Sequence, residues 1–283
     1  MKNIENKVFE GERSLFKAEG LRIVGCTFQN GESPLKESRN IELISSRFSW
    51  KYPLWYAKGV TVRGAVLDET ARSGIWYTHG IDMEGCEINA PKTFRRASKI
   101  RLKDCNMPNA LESMWGCADV TLENVRITGD YFGMNCNGVN AKNLYVLGNY
   151  VFDGASNVVV EDAQLISKDS FWNCENVVVR NSYIDGEYIG WNSKNLTFIN
   201  CKIRSNQGFC YIDNLKLVNC ELWQTDLAFE YSTVDADINS HVDSIKNPIS
   251  GTIRAKSIGQ LILEQDMVDT AKTTVITEGD CNE

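Results

Sequence analysis

From Asn157 to Leu222 apolar and polar positions recur every nineteen residues: NVVVEDAQL, NVVVRNSYI, NLTFINCKI and NLKLVNCEL begin at Asn157, Asn176, Asn195 and Asn214. A constant spacing of this kind marks stacked identical units. Extended both ways, the register gives twelve units starting at Gly20, Asn40, Gly59, Gly80, Lys99, Asp119, Gly138, Asn157, Asn176, Asn195, Asn214 and Thr233, with steps of 19 to 21 residues. The second position is always aliphatic, from Leu21 and Ile41 to Leu215 and Val234, and the fourth is nearly always apolar. That alternation predicts a strand with one buried face. Gly, Ser, Asn or Asp fills the sixth position, where the chain is expected to bend through a left-handed backbone. A small seventh residue and a large apolar ninth residue predict a second short strand. The remainder of each unit, as in PLWYA, GIWYT, SFWNC and IGWNS, reads as a third extended piece.

Short strands at this period leave no room for crossover helices. The expected fold class is all-β, a right-handed parallel β-helix of about twelve coils with 19 to 21 residues each, like residues stacking in ladders about 4.8 Å apart. Left-handed hexapeptide helices need an aliphatic residue every six, whereas the apolar spacing here runs two, three, two. Pentapeptide repeats fit positions two, four, seven and nine but fail in the last ten residues of each unit. The Asn-Val-x-Val-x-Asn-x-x-Ile units, over about Gly20 to Leu222, resemble the single-stranded right-handed β-helices of the pectin-lyase-like superfamily, and more narrowly a bacterial β-helix family of uncharacterised function. The resemblance implies architecture and says almost nothing about activity. Catalytic patterns of polygalacturonase-like members are incomplete here, with only Thr78-His79-Gly80 echoing one of them. A pectate-lyase calcium cluster has no counterpart.

Only five prolines occur and no Gly/Ser tract or charge run marks a linker, so a single domain over 1–283 is expected. Within it, 1–19 form a cap, 20–232 the regular coils, and 233–283 a modified last coil, closing strands and a tail. The net charge of −7 argues against nucleic acid and against an anionic membrane as partners. The charged opening segment lacks the apolar run of an export signal, which makes a cytoplasmic protein the expectation. Ten cysteines fall mainly in columns otherwise held by Ala, Ser and Thr, so they read as reduced core thiols. No Cys-x-x-Cys spacing is present and the two histidines lie far apart in register, so no metal site and no cofactor are expected.

Five tryptophans, Trp55, Trp76, Trp115, Trp172 and Trp191, share the column four residues before a unit start, and the adjacent column is apolar too (Leu35, Leu54, Ile75, Phe94, Phe171). Two adjacent columns of an extended strand cannot both face inward. Small period-two partners favour the tryptophans in the core or at an interface, with the other column forming an apolar stripe that loops or a second copy would cover. In the opposite arrangement the rings form a sugar-stacking platform, with Trp172, Tyr188, Trp191, Tyr211 and Glu230 as substrate-binding candidates. Loop carboxylates Asp169, Glu187 and Asp226 are the catalytic candidates for a polysaccharide hydrolase or lyase, which needs a carboxylate pair about 5 to 10 Å apart. A saccharide-binding β-helix is the first expectation, a polysaccharide-cleaving enzyme the second, and an oligomeric scaffold the third.

Overall fold

The computed structural model describes residues 1–279. It is a parallel β-solenoid almost without helix, only two three-residue 3-10 turns interrupting the strands. The chain divides into two compact units, Met1–Leu147 and Gly148–Glu283.

In the first unit the opening strands of successive coils are Lys2–Glu5, Glu19–Val24, Arg39–Ile44, Lys58–Arg63, His79–Glu84, Ser98–Lys103, Ala118–Thr128 and Asn137–Leu147. In the second they are Ser156–Glu161, Glu175–Arg180, Lys194–Ile199, Asp213–Leu222, Thr233–Lys246, Ser250–Ile262 and Thr273–Thr277. About fifteen coils of roughly nineteen residues therefore replace the expected twelve. The difference lies at the ends. Residues 1–19 form a coil in register with the next, Lys2 opposite Leu21 and Ile4 opposite Ile23. After Thr233 the strands lengthen and continue the parallel ladder through Thr277. The repeat is blurred there because the bend loses a residue: Leu217 faces Ala236 but Cys220 faces Ile238, a bulge that shifts the register.

The predicted bends are present. Asn181, Asn200 and Asn219 have φ near +50°, and the unit-opening Asn157, Asn176, Asn195 and Asn214 are left-handed as well. Asparagine tolerates this backbone and also bonds its neighbours. Asn214 donates to Asn195 (2.8 Å) and Asn195 to Asn176 (2.9 Å), so each column becomes a hydrogen-bonded amide ladder. The second and fourth positions, the small seventh and the large ninth fill the core: Val177, Val179, Ile184, Leu196, Phe198 and Ile203 are fully buried.

The third segment is a run of turns, not a strand. Leu54 and Tyr56 both have positive φ, and Ala57 N–H donates to Leu54 O (3.3 Å) across a four-residue turn. A left-handed third residue is the mark of a type II turn. The same positive pair recurs at Phe94 and Arg96, Phe171 and Asn173, and Phe209 and Tyr211. Side chains do not alternate here as in a strand, because a turn lets the Leu/Phe position point inward while the next residue lies on the outer face. Leu35, Leu54, Ile75, Phe94 and Phe171 are buried, whereas all five column tryptophans are only half-buried. The expectation that the tryptophans form the core is corrected, and the apolar column that suggested a subunit interface is the core itself.

All nine described cysteines are free and buried. Burial pushes the Cys174 and Cys210 thiols up to about 12, so they stay protonated. Cys174 Sγ–H donates to Phe152 O (2.9 Å) and Cys136 Sγ–H to Met114 O (2.9 Å), as packed hydroxyl-like side chains would.

Candidate functional site

The turn face carries the aromatic side chains, and the two units use it differently. In the first unit each indole N–H of the tryptophan column is tied to a backbone carbonyl of the next coil: Trp55 to Ser73 O (2.6 Å), Trp76 to Lys92 O (2.8 Å) and Trp115 to Tyr131 O (2.7 Å). Trp55 and Trp76 stack at 5.2 Å and 7°. The Arg95 guanidinium lies 4.6 Å from the rings of both Trp76 and Trp115 and 3.7 Å from the Glu112 carboxylate. In this column the ring faces are covered by rings or by a cation and all three indole donors are used, while the buried Arg95 Nε and Nη2 have no hydrogen-bond partner.

In the second unit Trp172 keeps the pattern, its N–H donating to Tyr188 O (2.7 Å). Trp191 does not. Its indole nitrogen has no hydrogen-bond partner among the described residues, while Gln207 O, sixteen residues on, accepts from Cys210 Sγ (3.3 Å). Around Trp191 the rings are tilted: Trp172 at 6.0 Å and 30°, Tyr188 edge-on at 5.6 Å, Tyr211 at 4.9 Å and 43°. Tyr211 is 42% exposed. Four of the five substrate-binding candidates therefore meet in one patch. The fifth, Glu230, is occupied by Lys246 at 2.9 Å, and only its backbone carbonyl reaches the patch, accepting from Tyr211 N–H (2.8 Å).

Asp169 stands beside this patch. Its left-handed backbone (φ +58°) places it in a turn column between Tyr150 and Tyr188, which have φ +59° and +50°. The three N–H groups donate to Lys168 O, Glu187 O and Asn206 O on the following coils. Asp169 is only 1% exposed. Tyr150 O–H bonds the carboxylate, while Oδ1 has no partner. Burial holds the Asp169 carboxyl above its ordinary range, and the Tyr150 bond and Lys168 oppose that only in part. Tyr150 also packs edge-on against Trp172 at 5.8 Å. The sequence reading passed over Tyr150; its signal was its place one coil before Asp169.

The other acids are less available. Glu187 pairs with Lys168 at 3.0 Å, and that bond raises the lysine's pKa. Asp185 is bonded by Arg204 Nε (2.7 Å) and Tyr183 O–H (3.1 Å). Asp226 is exposed and lies opposite Asn206, which in turn lies opposite Glu187. Asp169 and Glu187 are thus one coil apart, about 5 Å along the stack, whereas Asp169 and Asp226 are three coils apart, about 14 Å. Glycosidase carboxylates work at about 5 to 10 Å, which the three-coil separation of Asp169 and Asp226 exceeds, whereas Asp169 is buried and Glu187, on the next coil, is half-buried beside Lys168. His241 bonds Ser257 Oγ (2.8 Å) and His79 bonds Ser98 Oγ (2.8 Å). No group of three or more His, Cys, Asp or Glu among the described residues is placed to hold a metal ion. No helix among them is long and apolar enough to cross a membrane.

Solved structures similar to this chain include the A-module of a mannuronan C-5 epimerase from Azotobacter vinelandii, 8% identical with a TM-score of 0.33, covering 97% of this chain and 88% of that one. The catalytic domain of a GH87 alpha-1,3-glucanase is 11% identical with a TM-score of 0.35, covering 98% of this chain and 64% of that one. QnrB1, a plasmid-mediated fluoroquinolone resistance protein, is 15% identical with a TM-score of 0.23, covering 78% and 91%. No curated protein matches the sequence. The family model described as protein of unknown function (DUF3737) matches residues 2–276, and the chain belongs to that family.

Proposed function

We propose that the protein binds a saccharide on the turn face of its second unit, with Asp169 as the polar anchor beside Trp172, Tyr188, Trp191 and Tyr211. The observation that carries this is the unpartnered Oδ1 of a carboxylate only 1% exposed. A buried polar atom left without a partner costs about 1–3 kcal/mol, so the fold has reason to avoid one unless a ligand satisfies it. The Trp191 N–H supplies a free donor in the same patch, and sugar hydroxyls both donate and accept. Exposed ring edges and tilted faces offer apolar surface for the C–H side of a pyranose.

The test is intrinsic tryptophan fluorescence across a panel of neutral and acidic oligosaccharides. A ligand is expected to shift the emission of the wild type and to have no effect on a Trp191→Ala, Asp169→Asn variant. No response to any member of the panel would overturn the proposal.

A second reading, glycoside hydrolysis, is favoured by one observation: Asp169 is held above the usual carboxylate range, as a general acid requires. Glu187, on the next coil, is the carboxylate that would complete a pair, although Lys168 holds it. Release of reducing ends from a bound oligosaccharide, abolished by Glu187→Gln, would establish hydrolysis; stable binding without cleavage would exclude it.

A further inference from the structure

The first unit has a feature that the aromatic column does not explain. On one ladder of its opening strands, Arg22, Glu42, Thr61, Asp82 and Arg101, neighbouring charges are opposite in sign: Arg22 pairs with Glu42 (3.0 Å) and Asp82 with Arg101 (3.0 Å), and Arg63, two residues beyond Thr61, also reaches Asp82 (3.1 Å). At the entry to the same strands the ladder reads Glu19, Arg39, Lys58, His79, so Arg39 and Lys58 are direct neighbours. Like charges one strand apart, about 4.8 Å, repel and destabilise the sheet. Neither side chain has a hydrogen bond or an ion pair among the described residues, although nearby cations such as Arg22, Arg47 and Lys51 have both charge and geometry satisfied.

These two cations open onto a hollow of about 760 Å³ that Lys17, Lys36, Glu19, Glu37 and Tyr56 also line. Lys17 is paired with Glu37 at 3.6 Å. Lys36 lies 5.9 Å from the Trp55 ring and 5.8 Å from Tyr56, without a carboxylate partner. Three cations thus face one unpaired carboxylate, Glu19, on a chain whose overall charge is −7. Tyr77 stacks on one side of Tyr56 at 4.8 Å, and on the preceding coil the same column holds Glu37, not a ring. Tyr56 therefore ends its stack, 44% exposed, at the wall of the hollow.

We propose that this hollow binds a small anionic sugar ester, phosphate or sulfate, with Arg39 and Lys58 gripping the anion and Tyr56 packing against the sugar ring. The site belongs to the first unit and does not depend on the Asp169 patch. A dianion between Arg39 and Lys58 turns their repulsion into two charge-assisted contacts, the guanidinium supplying a fork and the ammonium a point charge. The hollow is of the size small-molecule sites have. The chain's acidic excess opposes a long polyanion such as nucleic acid.

Calorimetric titration of the full chain with a hexose phosphate, a hexose sulfate, the free hexose, inorganic phosphate and a short single-stranded oligonucleotide tests this. The expected result is binding of at least one ester, about tenfold or more tighter than the free hexose and weakening as salt is raised. The phosphate and sulfate arms identify which ester is the ligand. Arg39→Gln with Lys58→Gln is expected to lower ester affinity about tenfold or more with an unchanged circular dichroism spectrum. Tyr56→Ala is expected to weaken the ester and leave inorganic phosphate unaffected. Absence of heat with both esters, equal ester binding by the double variant, or tighter binding of the oligonucleotide would overturn the assignment.

Discussion

The turn face of residues 55–115 and that of residues 150–211 are built on the same repeat with opposite results. In the first, Trp55, Trp76, Arg95 and Trp115 close on one another, with all three indole donors spent on backbone carbonyls. In the second, Cys210 occupies the next place in the tryptophan column, Trp191 keeps a free N–H, and a carboxylate lies between two tyrosines with one oxygen unsatisfied. The first face is closed by its rings, and the buried atoms left without a hydrogen bond there belong to Arg95, a guanidinium held between two indoles. A ligand is to be sought where a residue that does not complete the stack has been retained.

The largest expected effect tests the premise that the two adjacent columns differ. Phe171→Ala empties a fully buried position between Phe152 and Phe198 and is expected to lower unfolding free energy by about 3–5 kcal/mol. Trp172→Ala, one residue on, removes a half-buried ring and one hydrogen bond and is expected to cost about 1–2 kcal/mol. Denaturant titration of both variants checks this, and equal losses would erase the distinction between core and turn face. Next in size is Arg95→Ala, which opens the sealed stack and is expected to cost on the order of 1–2 kcal/mol through two lost cation–π contacts.

The fold was legible because burial writes itself into period: aliphatic second and fourth positions and Asn bends leave a pattern that survives any loop. The ends were less legible. Lys2–Glu5 pairs through main-chain bonds whose side chains are mostly exposed, so no apolar column announced it. The facing of the tryptophans was lost for a different reason. Turns alternate left-handed residues instead of side-chain direction, and Leu54 and Tyr56 carry none of the Gly or Asn that ordinarily betrays positive φ. Of the candidate site, Asp169 and the four aromatic residues could be found as types in one register. The burial of Asp169 and its unpaired oxygen could not, since these depend on side chains of neighbouring coils such as Tyr150.

A smaller effect sharpens the comparison through pH. The folded state holds the Asp169 proton more tightly than the unfolded chain, because burial disfavours the charge. Between the ordinary carboxylate range and the raised folded value the native protein therefore binds more protons, and stability falls as pH rises through that window. Asp169→Asn is expected to flatten that part of the stability–pH curve and to gain up to about 1 kcal/mol at neutral pH. Thermal melts from pH 3 to 7 provide the measurement, and an unchanged slope would mean that Asp169 is solvated.

The most direct test sets the two faces against each other. The oligosaccharide giving the strongest fluorescence response is titrated calorimetrically into wild type, Asp169→Ala and Trp115→Ala. Loss of binding in Asp169→Ala with wild-type affinity in Trp115→Ala is the predicted result. Unchanged binding in Asp169→Ala, or loss in Trp115→Ala alone, would contradict the account.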